Sequence, residues 1–194
     1  MPILRMSRHT VAVLTEGEAD HAQSHLRSSQ AYRYTFFLAL AVTVLVTDQI
    51  LKAIVATNLK GGGVVEILGG AIRFDYTVNT GGAFSLFRGG GAVLAILAAL
   101  VCIGLLVPYR RIADSSVLVR AALGLILGGA LGNLLDRVRL GYVVDFVDLR
   151  WWPVFNLADS AVVVGVVLLV LHGWLESWTS ERTNRLHGDR ARHR

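Results

Sequence analysis

The sequence predicts an all-α membrane protein, a four-transmembrane-helix bundle with a small β-hairpin or cradle on its extracytoplasmic side. Composition carries the first half of that statement. Of the 194 residues, 54% are hydrophobic and only 17% are charged, and mean hydropathy is +0.54, beyond what an ordinary soluble domain of this length shows. Spacing carries the second half. Four apolar runs, at about 34–56, 91–109, 117–135 and 154–178, each approach the roughly 20 residues that a helix needs to cross a bilayer core. Between the first two, VVEIL, GG and AIRFDYTV set apolar Ile72, Phe74, Tyr76 and Val78 against polar Arg73, Asp75, Thr77 and Asn79. That is the period-two alternation of strands joined at a Gly69-Gly70 turn.

Taken in order, residues 1–33 are polar and mixed in charge with no apolar core, which excludes a cleavable signal peptide and reads as a disordered cytoplasmic lead. The first span, 34–56, is interrupted by Asp48 and Lys52, and the last, 154–178, by Asn156 and Asp159. With alternating spans these interruptions fall toward the same membrane face. The second span holds the single cysteine, Cys102, which reads as a small buried hydrophobe and not as half of a disulfide. In the third, Gly124, Gly128 and Gly132 recur every four residues and form a ridge for close helix packing. The 137–152 loop links spans three and four, with a short amphipathic segment near Asp145, and a basic tail, 179–194, closes the chain.

Four spans place both termini on one side. Arg27, Arg33, Arg110, Arg111, Arg120, Arg182 and Arg185 mark that side as cytoplasmic, against Lys60, Arg73, Arg88, Arg137, Arg139 and Arg150 opposite. The net charge of +5 comes largely from the ends, and a basic tail beside a membrane helix signals topology or anionic-lipid contact, with no nucleic-acid partner. The six histidines fall mostly in the tails with no HExxH or Cys/His cluster, so neither a metal site nor an organic cofactor is expected.

The stretch GGALGNLLDRVRLGYVVDF, 128–146, brings Asn133, Asp136, Arg137 and Asp145 to the end of an apolar helix, where such groups are expensive unless paired or chemically employed. Asp48 and Lys52, four apart on one helix face, suit a structural ion pair. Asp136 has Arg137 beside it, which favours an orienting network. Asp145 and Asp159 lack an adjacent cation and sit in apolar surroundings. Two such carboxylates brought together share a proton, so that one serves as general base on a water while the other polarises a carbonyl. Residue chemistry alone does not choose Asp145 over Asp148 or Asp136.

DQILK at 48–52, NTGGAFS at 79–85, GGALGNLLDR at 128–137, VVDF at 143–146 and FNLADSA at 155–161 together resemble the bacterial lipoprotein signal peptidases, or signal peptidase II, over residues 34–178. The resemblance implies Asp145 and Asp159 as the catalytic pair of an aspartic endopeptidase. It implies Asp48, Lys52, Asn79, Gly82, Asn133, Asp136, Arg137, Asn156 and Ala158 as residues that support the site or contact substrate and inhibitor. Gly82 stands where many members have Ala, a change that loosens the backbone there. The implied reaction removes the signal peptide from diacylglyceryl-modified prolipoproteins by cleaving before the lipidated cysteine. The implied location is the bacterial inner membrane, with the active site near the extracytoplasmic face. Implied partners are lipid-modified prolipoproteins, membrane lipids and cyclic-peptide inhibitors of the globomycin type.

Rival readings are a small proton-coupled carrier, since intramembrane carboxylates also mark ion paths, a non-catalytic scaffold, and a serine protease using Ser85 or Ser160 with Lys52.

Overall fold

The computed structural model describes residues 8–81, 91–107 and 109–192. Among the described residues, five helices and three strands follow one another: α1 (Arg8–Leu59), β1 (Val65–Ile67), a 3-10 turn (Leu68–Gly70), β2 (Ile72–Asn79), α2 (Gly91–Leu106), α3 (Tyr109–Asp114), α4 (Val117–Leu140), β3 (Val143–Asp148) and α5 (Leu157–Arg192). Among the described residues, three stretches are long and apolar enough to cross a membrane: Ala31–Leu59, Val117–Leu140 and Leu157–Trp178. The second expected span, 91–109, is shorter, because α2 stops at Leu106. Its 16 residues reach only about 24 Å at 1.5 Å per residue. Helical backbone also runs back to Arg8, through the lead expected to be disordered. That stretch is free of proline and rich in Ala, Leu, Glu and Gln, which favour helix.

α4 is the central post, with α1, α2 and α5 packed against it. Ser116 caps its start by accepting from the Val119 N–H at 3.2 Å, and Gly141, at φ 83°, closes its end. The glycine ridge faces α1. A Cβ on Gly128 would lie 2.5 Å from the Ala41 carbonyl oxygen, and one on Gly132 would lie 2.7 Å from Asp48 Oδ2. Gly129, a quarter-turn away, meets the backbone of Ala158 in α5. Small residues on two faces thus let both neighbours approach α4 at backbone distance, as the spacing predicts.

The three strands form one antiparallel sheet in the order β1-β2-β3. The hairpin is present, but its turn takes three left-handed residues, Leu68 at φ 51° with Gly69 and Gly70. The strict alternation along β2 breaks at a register irregularity between Phe74 and Thr77. β3 corrects the expectation of an amphipathic segment around Asp145: VVDFVD is a strand, paired Thr77↔Asp145, Val78↔Val144 and Asn79↔Val143. Because paired residues share a face of a sheet, Thr77 stands beside Asp145.

Candidate active site

Asp145 and Asp159 reach one place by different local structures. Asp145 is carried in the middle of β3 and is 1% exposed. Asp159 is the third residue of α5. Asn156 is the N-cap: its Oδ1 accepts from the Asp159 N–H at 2.9 Å, while its own N–H donates to Asp159 Oδ2 at 3.2 Å. This reciprocal pair is a capping box with aspartate in the Glu/Gln position. The Asn156 side chain then reaches the strand, its Nδ2 donating to Asp145 Oδ1 at 2.6 Å and to the Val144 carbonyl at 3.3 Å. One asparagine therefore holds both aspartates.

The remaining carboxylate oxygens are also met. Asn79, at the end of β2, donates to Asp145 Oδ2 at 2.8 Å, and Asn133, on α4, donates to Asp159 Oδ1 at 2.8 Å. Asn79 Oδ1 accepts from the Gly81 N–H at 3.1 Å, which fixes the direction of its amide. Burial, and then the nearby Asp159 carboxylate, push the Asp145 carboxyl up to about 7; the Asn79 and Asn156 amides and the Lys52 charge pull it the other way.

Beneath this layer lies a buried ionic one. Lys52 pairs with Asp48 Oδ2 and with Asp136 Oδ2, each at 2.8 Å, and donates to Asn133 Oδ1 at 3.0 Å. The expected Asp48–Lys52 pair is present, but Asp136 turns to Lys52 instead of its neighbour Arg137. Arg137 donates back to the Asn133 carbonyl at 3.3 Å. Ala158 is fully buried, and its N–H donates to Asp48 Oδ1 at 3.0 Å. Gln49, which the motif reading passed over, donates to Asp136 Oδ1 at 3.0 Å and to the Gly132 carbonyl at 3.3 Å. It lies three residues before Lys52 and so shares its helix face, the signal that could have found it. A hydroxyl pair, Tyr76 with Tyr142 at 3.1 Å, ties β2 to the turn before β3 and was also missed.

Asp136 pairs with Lys52, and Asp148 accepts from the Arg150 N–H at 2.7 Å, so both alternatives to Asp145 are occupied elsewhere; Asp75, in the hairpin, pairs with Arg73 at 3.0 Å. Ser160 donates to the Asn156 carbonyl at 3.1 Å and is not among the partners of Lys52. Gly82 and Ser85 lie outside the described residues. Among the described residues no three His, Cys, Asp or Glu side chains gather as metal ligands would.

A cleft of about 360 Å³ opens beside the pair, lined by Asn79, Asn133, Arg137 and Asp159 at its polar end. Ala98, Ala130, Val162 and Val163 form its apolar wall, with Trp152 and Phe155 at the loop side. Asp159 faces this space directly, whereas Asp145 meets it through Asn79.

Comparison with known proteins gives the family of the chain. The family described as Signal peptidase (SPase) II matches residues 40–175. A lipoprotein signal peptidase of Moorella thermoacetica is 47% identical over 133 residues, covering 69% of this chain and 89% of that protein. One of Halothermothrix orenii is 41% identical over 135 residues, covering 70% and 92%. A solved structure described as a bacterial membrane enzyme superposes with a TM-score of 0.69 at 31% identity, covering 74% of this chain and 90% of that one. The chain belongs to the signal peptidase II family, and is therefore a membrane-embedded protease.

Proposed function

We propose that the protein is an aspartic endopeptidase that removes the signal peptide from diacylglyceryl-modified prolipoproteins, cutting the peptide bond before the lipidated cysteine. The observation that carries the reading is the grip of Asn156 on both Asp145 and Asp159. A carboxyl pushed up to about 7 still holds its proton in about half of the molecules at neutral pH, which leaves Asp145 able to donate a hydrogen bond to the scissile carbonyl. Asp159, facing the cleft, takes a proton from water as the hydroxide adds to that carbon. The tetrahedral intermediate collapses as a proton passes to the leaving amine, and the C–N bond breaks. Arg137 and Asn133 stand at the same end of the cleft, where they supply fixed dipoles and charge to the developing oxyanion.

The relatives named lipoprotein signal peptidase support the substrate class. So does the apolar wall between α4 and α5, which suits a chain whose lipid anchor stays in the bilayer. In this reading α2 is the fourth member of the bundle, both termini are cytoplasmic, and the site faces the extracytoplasmic side of the bacterial inner membrane. A cyclic-peptide inhibitor of the globomycin type would occupy the same cleft. The carrier reading is weaker because Asp48, Lys52, Asn133, Asp136, Asn156 and Asp159 gather at one end of the bundle and do not line a route through it.

The test is incubation of the purified protein, in detergent where no gradient exists, with a lipidated prolipoprotein and an otherwise identical unlipidated one. Cleavage immediately before the cysteine in the lipidated substrate alone is expected. Equal cleavage of both, or of neither, overturns the proposal.

A further inference from the structure

Lys52 is 4% exposed in a helix that crosses the membrane. An ammonium has three N–H donors and accepts nothing. Three acceptors surround this one: Asp48 Oδ2 and Asp136 Oδ2 at 2.8 Å, and Asn133 Oδ1 at 3.0 Å. No donor is left for substrate, and a charged ammonium has no lone pair with which to act as a base. Each of the three acceptors, in turn, holds something that presents an aspartate. Asp48 Oδ1 accepts from the N–H of Ala158, one residue before Asp159. Asp136 Oδ2 accepts from the N–H of Val144, one residue before Asp145, at 3.2 Å. Asn133 Nδ2 donates to Asp159 itself.

Building on the aspartate-pair reading above, we propose that Lys52 is the positioning residue of the site: its three donors fix three side chains that aim β3, the start of α5 and the Asp159 carboxylate at one another. Its grip on Asn133, shared with Asn156 Nδ2 at 3.1 Å, also fixes the polarity of that amide. With Oδ1 held by the ammonium, Nδ2 must face Asp159; a flipped amide would set an oxygen against a carboxylate. Gln49 completes the cluster from the other side by donating to Asp136 Oδ1. The charged groups around Lys52 are Asp48 on its own helix, Asp136 and Arg137 on α4, Asp145 on β3 and Asp159 on α5. Its cation also favours the ionised form of Asp145, so removing it raises that carboxyl further.

The test compares kcat, KM and the pH profile of wild type, Lys52→Met, and Lys52→Met/Asp48→Asn. The double variant neutralises Asp48, one of the two buried carboxylates that Lys52 pairs with, while keeping an oxygen for Ala158; Asp136 keeps the donor of Gln49. Membrane insertion and thermal melting report folding. Expected is a loss in kcat of about 100-fold, the order that a small misplacement of reacting groups costs, with KM little changed and the alkaline limb moved to higher pH. Wild-type kcat with an unmoved limb in either folded variant overturns the proposal. A rise in KM alone makes Lys52 a substrate contact, and failure of both variants to fold makes it a structural residue; either result also overturns it. Asp145→Asn is the parallel control: substantial turnover there strikes the aspartate-pair reading itself, whatever Lys52 does.

Discussion

At the scale of single residues, the site is a set of amides whose directions are fixed by what they hold. Asn79 shows the consequence. Its Nδ2 donates to Asp145 while the Gly81 N–H holds its oxygen, so Asn79→Ala removes a donor that favours the ionised carboxylate. The variant should lose about 1–3 kcal/mol in kcat/KM, the cost of a buried hydrogen bond left unmet, and its alkaline limb should lie above that of wild type. A pH-rate series on both proteins checks this. In wild type that limb should fall near 7, the value to which burial and Asp159 push Asp145. The same shift acts on folding with a definite sign. A carboxyl raised in the folded state stabilises the fold fully below its ordinary, unfolded value near 4 and loses that contribution as pH rises toward 7. Denaturant midpoints measured from pH 4 to 8 should therefore rise for Asp145→Asn relative to wild type as pH increases. At this scale, the rarity of charges in apolar runs singled out Asp48, Lys52, Asp136, Asp145 and Asp159, but the choice of Asp145 over Asp148 or Asp136 came from the resemblance carried by the motifs. Gln49 was passed over although it shares the helix face of Lys52, because a neutral polar group stands out less than a charge, and the Tyr76–Tyr142 pair shows only once β2 and the turn before β3 are brought together.

At the scale of elements, α4 depends on how closely α1 and α5 approach it. A Cβ on Gly128 would press on the Ala41 carbonyl at 2.5 Å and on Val44 Cβ at 2.7 Å, contacts that only a backbone shift relieves. Gly128→Ala should lower stability by about 1–3 kcal/mol, as overpacking does, and should slow turnover because α1 carries Asp48 and Lys52. Thermal melting in detergent, with activity measured on the same sample, checks both effects. The ridge was readable from its four-residue period, and the hairpin from its alternation and paired glycines. β3 was hidden for a physical reason. VVDFVD alternates weakly and is bounded on one side by α4, so nothing local distinguishes a strand from an amphipathic turn; its pairing with β2 comes from residues 64 to 75 positions away. The end of α2 at Leu106, ahead of Pro108, shortened a run that composition alone extends to 109.

At the scale of the whole molecule, the proposed reading gathers the working polar groups at one end of the bundle and leaves the lead and the tail outside the machinery. Deleting residues 1–30, or those after Thr183, should alter expression or orientation more than cleavage by the inserted protein. Rates normalised to correctly oriented enzyme check this, and loss of activity in correctly inserted protein would give the tails an enzymatic role. The central claim is that two aspartates on different elements, joined through Asn156, hydrolyse the peptide bond. Its most direct test is the cleavage rate of a lipidated prolipoprotein by Asp145→Asn, Asp159→Asn and Asp148→Asn, each shown to be folded and inserted. The first two substitutions keep the shape of the side chain and remove its acid and base functions, so each should abolish cleavage. Asp148→Asn should cleave at close to the wild-type rate, since Asp148 only holds a loop N–H. Near-normal cleavage by either of the first two, or loss confined to Asp148→Asn, would contradict the account.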